Sequence, residues 1–206
     1  MATSDTPPPN DPIVLRRLRR DDAFVPITGQ TPLIPHRWSE KARRIMLDKQ
    51  QGKAVANKAP KDPEQEAHDA TYWLEDGRPG MPATAFKAAI ADAARHFDGL
   101  AIVTVKQAVF VKGHGPDQLV PIAGDVSMRE DMPRNSNGVA DLRYRNQIFP
   151  WSAELEIEFV ASALTAEALL ALVDAAGLGG VGDWRPSAPK SKSGTYGRWC
   201  VTGEIL

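Results

Sequence analysis

The chain has 206 residues, 42% of them apolar and 25% charged, with a formal net charge of −1. That length buries a sizeable core in one large or two small domains, and so small a net charge means that polyanion binding must come from local patches. A single cysteine, Cys200, excludes an internal disulfide framework and a multi-cysteine zinc site, and no run reaches the ~18 apolar residues of a membrane span.

Residues 1–22 read as a disordered basic arm. Pro7, Pro8, Pro9 and Pro12 lie among small polar residues. Arg16, Arg17, Arg19 and Arg20 follow, partly neutralised by Asp21 and Asp22, so a solvated arm and a phosphate grip both stay open. The arm has no signal-peptide core, and the expectation is a cytoplasmic protein without a membrane partner.

Ala23 to Thr28 predicts a short strand closed by Gly29. Residues 38–50 suit a helix with Trp38, Ala42, Ile45 and Met46 on one side, and 51–70 read as a mobile polar insertion. Pro82 opens an amphipathic helix whose buried face is Phe86, Ala89, Ile90, Ala93 and Phe97, ended by Asp98-Gly99. Thr84 is the residue expected to cap it. The β-branched run Ala101 to Lys112 predicts a strand, and Leu119 to Ile122 a short one. Residues 124–148 form a polar excursion of weak periodicity.

Trp151 to Phe159 is the strongest strand. Trp151, Ala153, Leu155, Ile157 and Phe159 face one way, and Ser152, Glu154, Glu156 and Glu158 the other. Thr165 N-caps a second helix that buries Leu169, Leu172, Val173 and Ala176 and stops at Gly177. Trp199 to Ile205 gives the last strand, in which Cys200 serves as a small buried hydrophobe. The order β-α-β-β-α-β is that of an α+β, ferredoxin-like (RRM-like) domain over residues 23–206, with insertions at about 36–76 and 113–148.

Between the second helix and the last strand, residues 177–199 hold six glycines, Trp184, Tyr196, Trp199 and four cations. A loop with so little bulk brings backbone N–H groups close to an anion. Its basic part, 182–199, carries Arg185, Lys190, Lys192 and Arg198 against Asp183, a net of +3. Flat rings interleaved with cations suit a phosphate-bearing polymer.

Two further segments and this loop together resemble a known superfamily. Gly80-Met-Pro-Ala-Thr-Ala-Phe-Lys-Ala-Ala-Ile90 resembles the Ile-Pro-Gly-Ser-Ser-Leu-Lys-Gly segment that opens the first helix of RAMP proteins, the Cas7-like RNA-binding proteins of CRISPR effector complexes. Pro82, Thr84, Phe86 and Lys87 fall on matching positions, while Ala83 and Ala88 stand where glycine is usual. The Gly179 to Arg198 loop is similar to the superfamily's glycine-rich loop, and Thr28-Gly-Gln-Thr-Pro-Leu-Ile34 to the turn after its first strand. The resemblance implies single-stranded nucleic acid as partner, RNA or DNA, coated by head-to-tail homo-oligomers, with 124–148 in the place of a protruding thumb. A phage or mobile-element relative fits the same pattern.

The candidate nucleic-acid residues are Lys87, Gly180, Gly182, Trp184, Arg185, Lys190, Lys192, Tyr196 and Arg198, with Arg37 after the first strand and Arg129, Arg134 and Arg143 in the excursion. Structural roles compete at each. The loop tryptophans also suit the core, and Lys87 also suits a solvated helix face. The arginines of 124–148, Arg145 included, suit either a nucleic-acid thumb or a subunit contact. His36 is a candidate general acid/base, as in some RAMP ribonucleases, with Arg37 or Lys41 as its nearest sequence partners.

The Glu154, Glu156 and Glu158 row reads as a strand surface that repels phosphate, not as a metal site. His68, His96 and His114 show no metal-ligand spacing, and no Walker loop, Rossmann fingerprint or nucleophile elbow is present. The resemblance thus implies a coat that binds without catalysing a reaction, and no cofactor or metal is expected. Its rivals are a metal-independent endoribonuclease using His36 and a phage structural or assembly protein.

Overall fold

The computed structural model describes residues 17–53, 61–133, 138, 140–189 and 193–203, with positions 41 and 42 described by backbone only. Arg16, Arg134, Lys190, Lys192 and the 204–205 end of the expected last strand lie outside the described residues.

The fold is mixed α+β. β1 (Arg20–Gly29) is followed by α1 (Glu40–Gln50), α2 (Pro63–Asp69), β2 (Tyr72–Trp73), β3 (Pro79–Pro82) and α3 (Ala83–Ala93). Next come α4 (Ile102–Ala108), β4 (Val109–Val111), β5 (Leu119–Pro121) and β6 (Ala123–Asp131). β7 (Arg143–Val160), α5 (Ala166–Gly179) and β8 (Trp199–Val201) complete it. The main sheet runs β4-β7-β1-β8 with antiparallel pairing throughout, and β6 pairs with β7 beside it. A small second sheet has the order β2-β3-β5.

Alternation explains the core. Along β7, Trp151, Leu155, Ile157 and Phe159 are buried, while Glu154, Glu156 and Glu158 face away. Ala23, Val25 and Ile27 of β1 lie beside them in the pleat, and Phe86 and Ile90 of α3 and Leu169, Leu172 and Val173 of α5 close the layer. Thr165 caps α5 as expected, its hydroxyl accepting from the Ala168 N–H at 3.2 Å.

Several expectations are corrected. β1 starts at Arg20, so the last residues of the expected arm are strand. Thr84 does not cap α3, whose N-cap is Pro82 with no side-chain bond. Phe97 falls past the 3₁₀ turn Ala94–His96 and is 36% exposed. α5 runs on through Gly177 to Gly179, because the left-handed backbone that ends it belongs to Gly180, at φ 68°. Cys200 is half-buried rather than enclosed.

The run 102–108 is helix, not strand. Val105 and Ala108 are buried at helical spacing, and the sheet offers a partner only to Val109–Val111. Packing has overridden the β-branched propensity.

The excursion is the outer part of a long hairpin: β6 pairs with β7 from Val126↔Ile148 to Asp131↔Arg143. Most of β6 is exposed on both faces, so no burial imposes an alternating pattern there. The 51–70 insertion holds α2, with Asp62 as N-cap and Pro63 in the first turn. Ala67 and Thr71 anchor it to β7 through Asn146, whose amide donates to the Thr71 hydroxyl at 3.1 Å.

Candidate nucleic-acid interface

The glycine-rich loop is sewn onto the chain that leaves β1. Val181 donates to the Gly197 carbonyl at 3.0 Å and Gly197 to the Pro32 carbonyl at 2.8 Å, while Asp183 donates to the Ile34 carbonyl at 2.9 Å. Gly182 makes this approach possible. Its φ is +80°, and a Cβ there would stand 2.6 Å from the Ile34 oxygen. With both limbs pinned, Asp183 and Trp184 turn toward the β6–β7 hairpin and Arg185 turns the other way.

On the hairpin side the loop meets two arginines. Arg129 and Arg145 are directly paired across β6 and β7, a like-charge arrangement that destabilises a sheet unless it is compensated. Arg129 bonds Asp131 at 2.6 and 2.8 Å, and Arg145 bonds Asp183. The Trp184 ring lies 5.3 Å from each guanidinium, and Arg129 also lies 4.9 Å from the Tyr196 ring. Trp184 and Tyr196 are themselves in tilted contact at 5.9 Å.

Two further groups address Asp183. His36 Nδ1 lies 3.3 Å from its Oδ2, and the Trp184 N–H donates to its Oδ1 at 3.2 Å. Burial pushes the Asp183 carboxyl up, but the His36 hydrogen bond and the Arg145 charge outweigh it, so its pKa lies below the ordinary value. Burial also pulls the Arg145 guanidinium down, against the pull of Asp183. Hydrogen bonding to Asp131 holds Arg129 above its usual range.

Two clefts open on either side of His36. The larger, of 760 Å³, lies between α3, α4 and the loop; it is lined by Arg95, Lys106, Asp92, Asp183, Arg185 and Ser187 among others. The smaller, of 380 Å³, lies between α1, α2 and the start of β7; Arg37, Trp38, Lys61, Asp141, Arg143 and Arg145 are on its walls. Counted over both, seven Lys/Arg and five Asp/Glu give a net of +2 with His36 neutral.

The cations there differ in their partners. Arg95 is tied to Asp92 at 2.6 Å, Arg143 to Asp141 at 3.2 Å, and Lys61 to Asp141 at 3.4 Å. Hydrogen bonding from Arg143 and then Lys61 holds the Asp141 carboxyl below its usual range. Among the described residues Arg185 donates only to neutral oxygens, the Gly182 carbonyl at 2.9 Å and the Ser187 hydroxyl at 3.1 Å. Arg37 and Lys106 make no ion pair among the described residues. Trp38 stands at the mouth of the smaller cleft, 59% exposed.

The sequence candidates thus separate. Gly180, Gly182 and Arg185 line the larger cleft and Arg37 and Arg143 the smaller; Trp184, Tyr196 and Arg129 form the cluster behind them. Lys87 lies apart, its ammonium 4.1 Å from the Phe110 ring. Arg198 sits beyond the end of β1, where its N–H donates to the Thr31 hydroxyl at 2.9 Å.

Sequence reasoning missed Asp183 as the partner of both His36 and Arg145, since nothing in the chain links positions 36, 145 and 183. It also missed Lys106, which a strand would not have placed beside α3. Among the described residues no group of three or more His, Cys, Asp or Glu is placed to hold a metal, and no helix is long and apolar enough to cross a membrane.

Solved structures similar to this chain include two of Cmr proteins. One is of the Type III-B Cmr-beta bound to cognate target RNA, with TM-score 0.43 and 11% identity over 91% of this chain and 61% of the other. The second is Cmr6 from Pyrococcus furiosus, with TM-score 0.43 and 11% identity over 89% of this chain and 98% of the other. This chain therefore spans under two thirds of the first. No family model and no curated protein matches the sequence.

Proposed function

We propose that the protein binds single-stranded RNA along the two clefts that meet at His36, and coats it as a head-to-tail homo-oligomer without catalysing a reaction. One observation carries the reading. Among the described residues, Arg37, Lys106 and Arg185 bring cations without carboxylate partners to clefts in which Asp92, Asp141 and Asp183 are already ion-paired to cations, leaving Glu66 and Asp69 as the only lining carboxylates without a Lys or Arg partner. Phosphates following these clefts meet the free cations, and exposed Trp38 offers a face to a base. Trp184 then acts as the strut that holds the loop against the hairpin.

The sheet order β4-β7-β1-β8, with α3 and α5 as its two crossovers, supports the ferredoxin-like reading of the fold. The segment from α1 to β3 and the outer hairpin are then insertions that build the smaller cleft.

The test is fluorescence anisotropy with a labelled oligouridylate across a salt series. Affinity falls with salt, and Arg185→Ala and Lys106→Ala each flatten the logarithmic slope by ~0.7, the value for one single-strand phosphate contact. Unchanged slopes and affinities in both variants overturn the site.

A second reading, metal-independent RNA cleavage, is favoured by the His36 Nδ1–Asp183 contact at 3.3 Å, which leaves Nε2 to act on a 2′-hydroxyl. The charge of Asp183 is already balanced by Arg145, and an anchoring role for the pair follows more directly. Incubation with a labelled hairpin RNA and no divalent metal decides. Cleavage lost in His36→Ala establishes the enzyme, and an intact RNA upholds the binding reading.

A further inference from the structure

α1 is a helix with no interior. Of its 11 residues, no described side chain is buried; Ile45, Met46 and Leu47 are 41%, 47% and 52% exposed, next to exposed Trp38. An isolated helix shorter than about 12–15 residues is marginal in water, and most helices in proteins are held by packing of an apolar face. By composition α1 is also basic: Lys41, Arg43, Arg44 and Lys49 oppose Glu40 and Asp48, a net of +2. Such a helix fits a partner surface that is apolar at its centre and acidic around it.

The main sheet carries that surface on the face turned from the core. Phe24 of β1 and Phe110 of β4 are 38% and 41% exposed there, opposite Glu156 and Glu158 in register. Asp22, Glu154, Glu156 and Glu158 surround them. Lys112 bridges Asp22 at 2.9 Å and Glu156 at 2.7 Å, and Arg20 reaches Glu158 at 3.3 Å. With the Lys87 ammonium 4.1 Å over the Phe110 ring counted as well, the patch keeps a net of −1, and Glu154 has no ion-pair partner among the described residues. The lengths also agree: α1 spans ~16 Å at 1.5 Å per residue, and Glu154 to Glu158 spans ~13 Å at 3.3 Å per residue.

We infer that α1 of one copy docks on this acidic face of the next copy. The inference rests on the coat reading and names the two faces that join its subunits. Because helix and sheet face are different patches, a pair joined by a single head-to-tail contact keeps one of each free, and the contact propagates as an open chain where the rotation between copies does not close. Ile45 borders the smaller cleft, so each docked neighbour sits beside the groove.

Light scattering on a size-exclusion column, with the full chain and no nucleic acid, reads the contact through a charge swap. Arg43→Glu with Arg44→Glu makes the helix acidic, and Glu154→Lys with Glu158→Lys makes the sheet face basic. Wild type is expected to show species larger than a monomer at low salt, shrinking as salt rises. Each double variant alone is expected as monomer. Their mixture, and the quadruple variant, are expected to regain the large species, which also shows that the altered chains are folded. Met46→Asp tests the apolar centre and is expected to remove the large species without reversing a charge.

Wild type that stays monomeric at every concentration and salt overturns the inference. So do double variants that assemble like wild type, or a mixture that fails to recover. A hexanucleotide, too short to bridge two subunits, is followed by anisotropy in the same samples. If the helix variant loses hexanucleotide binding while assembly persists, α1 faces nucleic acid and the inference fails. If wild-type assembly and charge-swap rescue hold but no variant or wild type binds the hexanucleotide, the coat reading fails and the subunit contact stands.

Discussion

Two sets of cations meet around the glycine-rich loop and differ in what they have been spent on. Behind the glycine-rich loop, Arg129 and Arg145 each hold a carboxylate, Asp131 and Asp183, and share the Trp184 ring. In the groove in front, Arg37, Lys106 and Arg185 hold none among the described residues. The first set closes the loop onto the hairpin; the second is the one proposed to meet a ligand. Counting Lys and Arg along the chain treats both sets alike, and the distinction lies entirely in which carboxylates the fold carries to them.

The comparison is broken most forcefully at Asp183. Its removal in Asp183→Ala strands Arg145, whose side chain is 4% exposed, and a buried pair broken on one side costs about 3 kcal/mol or more. Urea unfolding should show that loss, with Asp183→Asn falling between it and wild type. The same pair sets an acid limit. Because the folded pKa of Asp183 lies below its ordinary value, its contribution is complete above the unfolded pKa of about 3.9 and is lost as pH falls through the folded value. The stability gap between wild type and Asp183→Asn should therefore be constant near neutrality and shrink below about pH 4. A gap that persists in strong acid means that the carboxylate charge is not what holds Arg145.

Trp184 and Trp38 sharpen the contrast at smaller cost. Trp184→Ala removes the ring shared by two guanidiniums and should destabilise by about 2 kcal/mol, from cation–π contacts and lost packing. Trp38, 59% exposed, should leave thermal unfolding within about 0.5 kcal/mol when changed to alanine, and should instead weaken oligouridylate binding by several-fold through a lost stack. Equal effects of the two variants on stability dissolve the division into strut and groove.

What was legible in the sequence follows the same line. β7, α3 and α5 announce themselves because burial on one face forces a period on Trp151 to Phe159, on Phe86 to Ile90 and on Leu169 to Ala176. The outer hairpin does not, since Met128 and Glu130 are exposed on one face and Ser127 on the other. α4 was masked because Ile102, Val103, Thr104 and Val105 favour a strand locally and were overruled by the α3 surface. The glycine-rich loop was legible as a loop of unusual backbone. Its pairing was not, because the hydrogen bonds from Val181 to Gly197 and from Asp183 to Ile34 join positions that no local pattern connects.

The smallest effect is also the sharpest test of whether an ion pair spends a cation. Arg143 and Asp141 lie 3.2 Å apart at the mouth of the smaller cleft, with side chains 41% and 46% exposed. An exposed pair of this kind contributes only a few tenths of a kcal/mol, so Arg143→Ala should leave unfolding almost unchanged. Its charge is shared with Asp141, whereas that of Arg37 on the same wall is not. Arg37→Ala should therefore reduce the salt slope by ~0.7 and Arg143→Ala by distinctly less. If the two are equal, phosphate competes successfully with Asp141, and exposed pairs in this groove are a reserve that a ligand can draw on. The line between spent and free cations then falls at burial, between Arg143 and Arg145, rather than at the presence of a carboxylate.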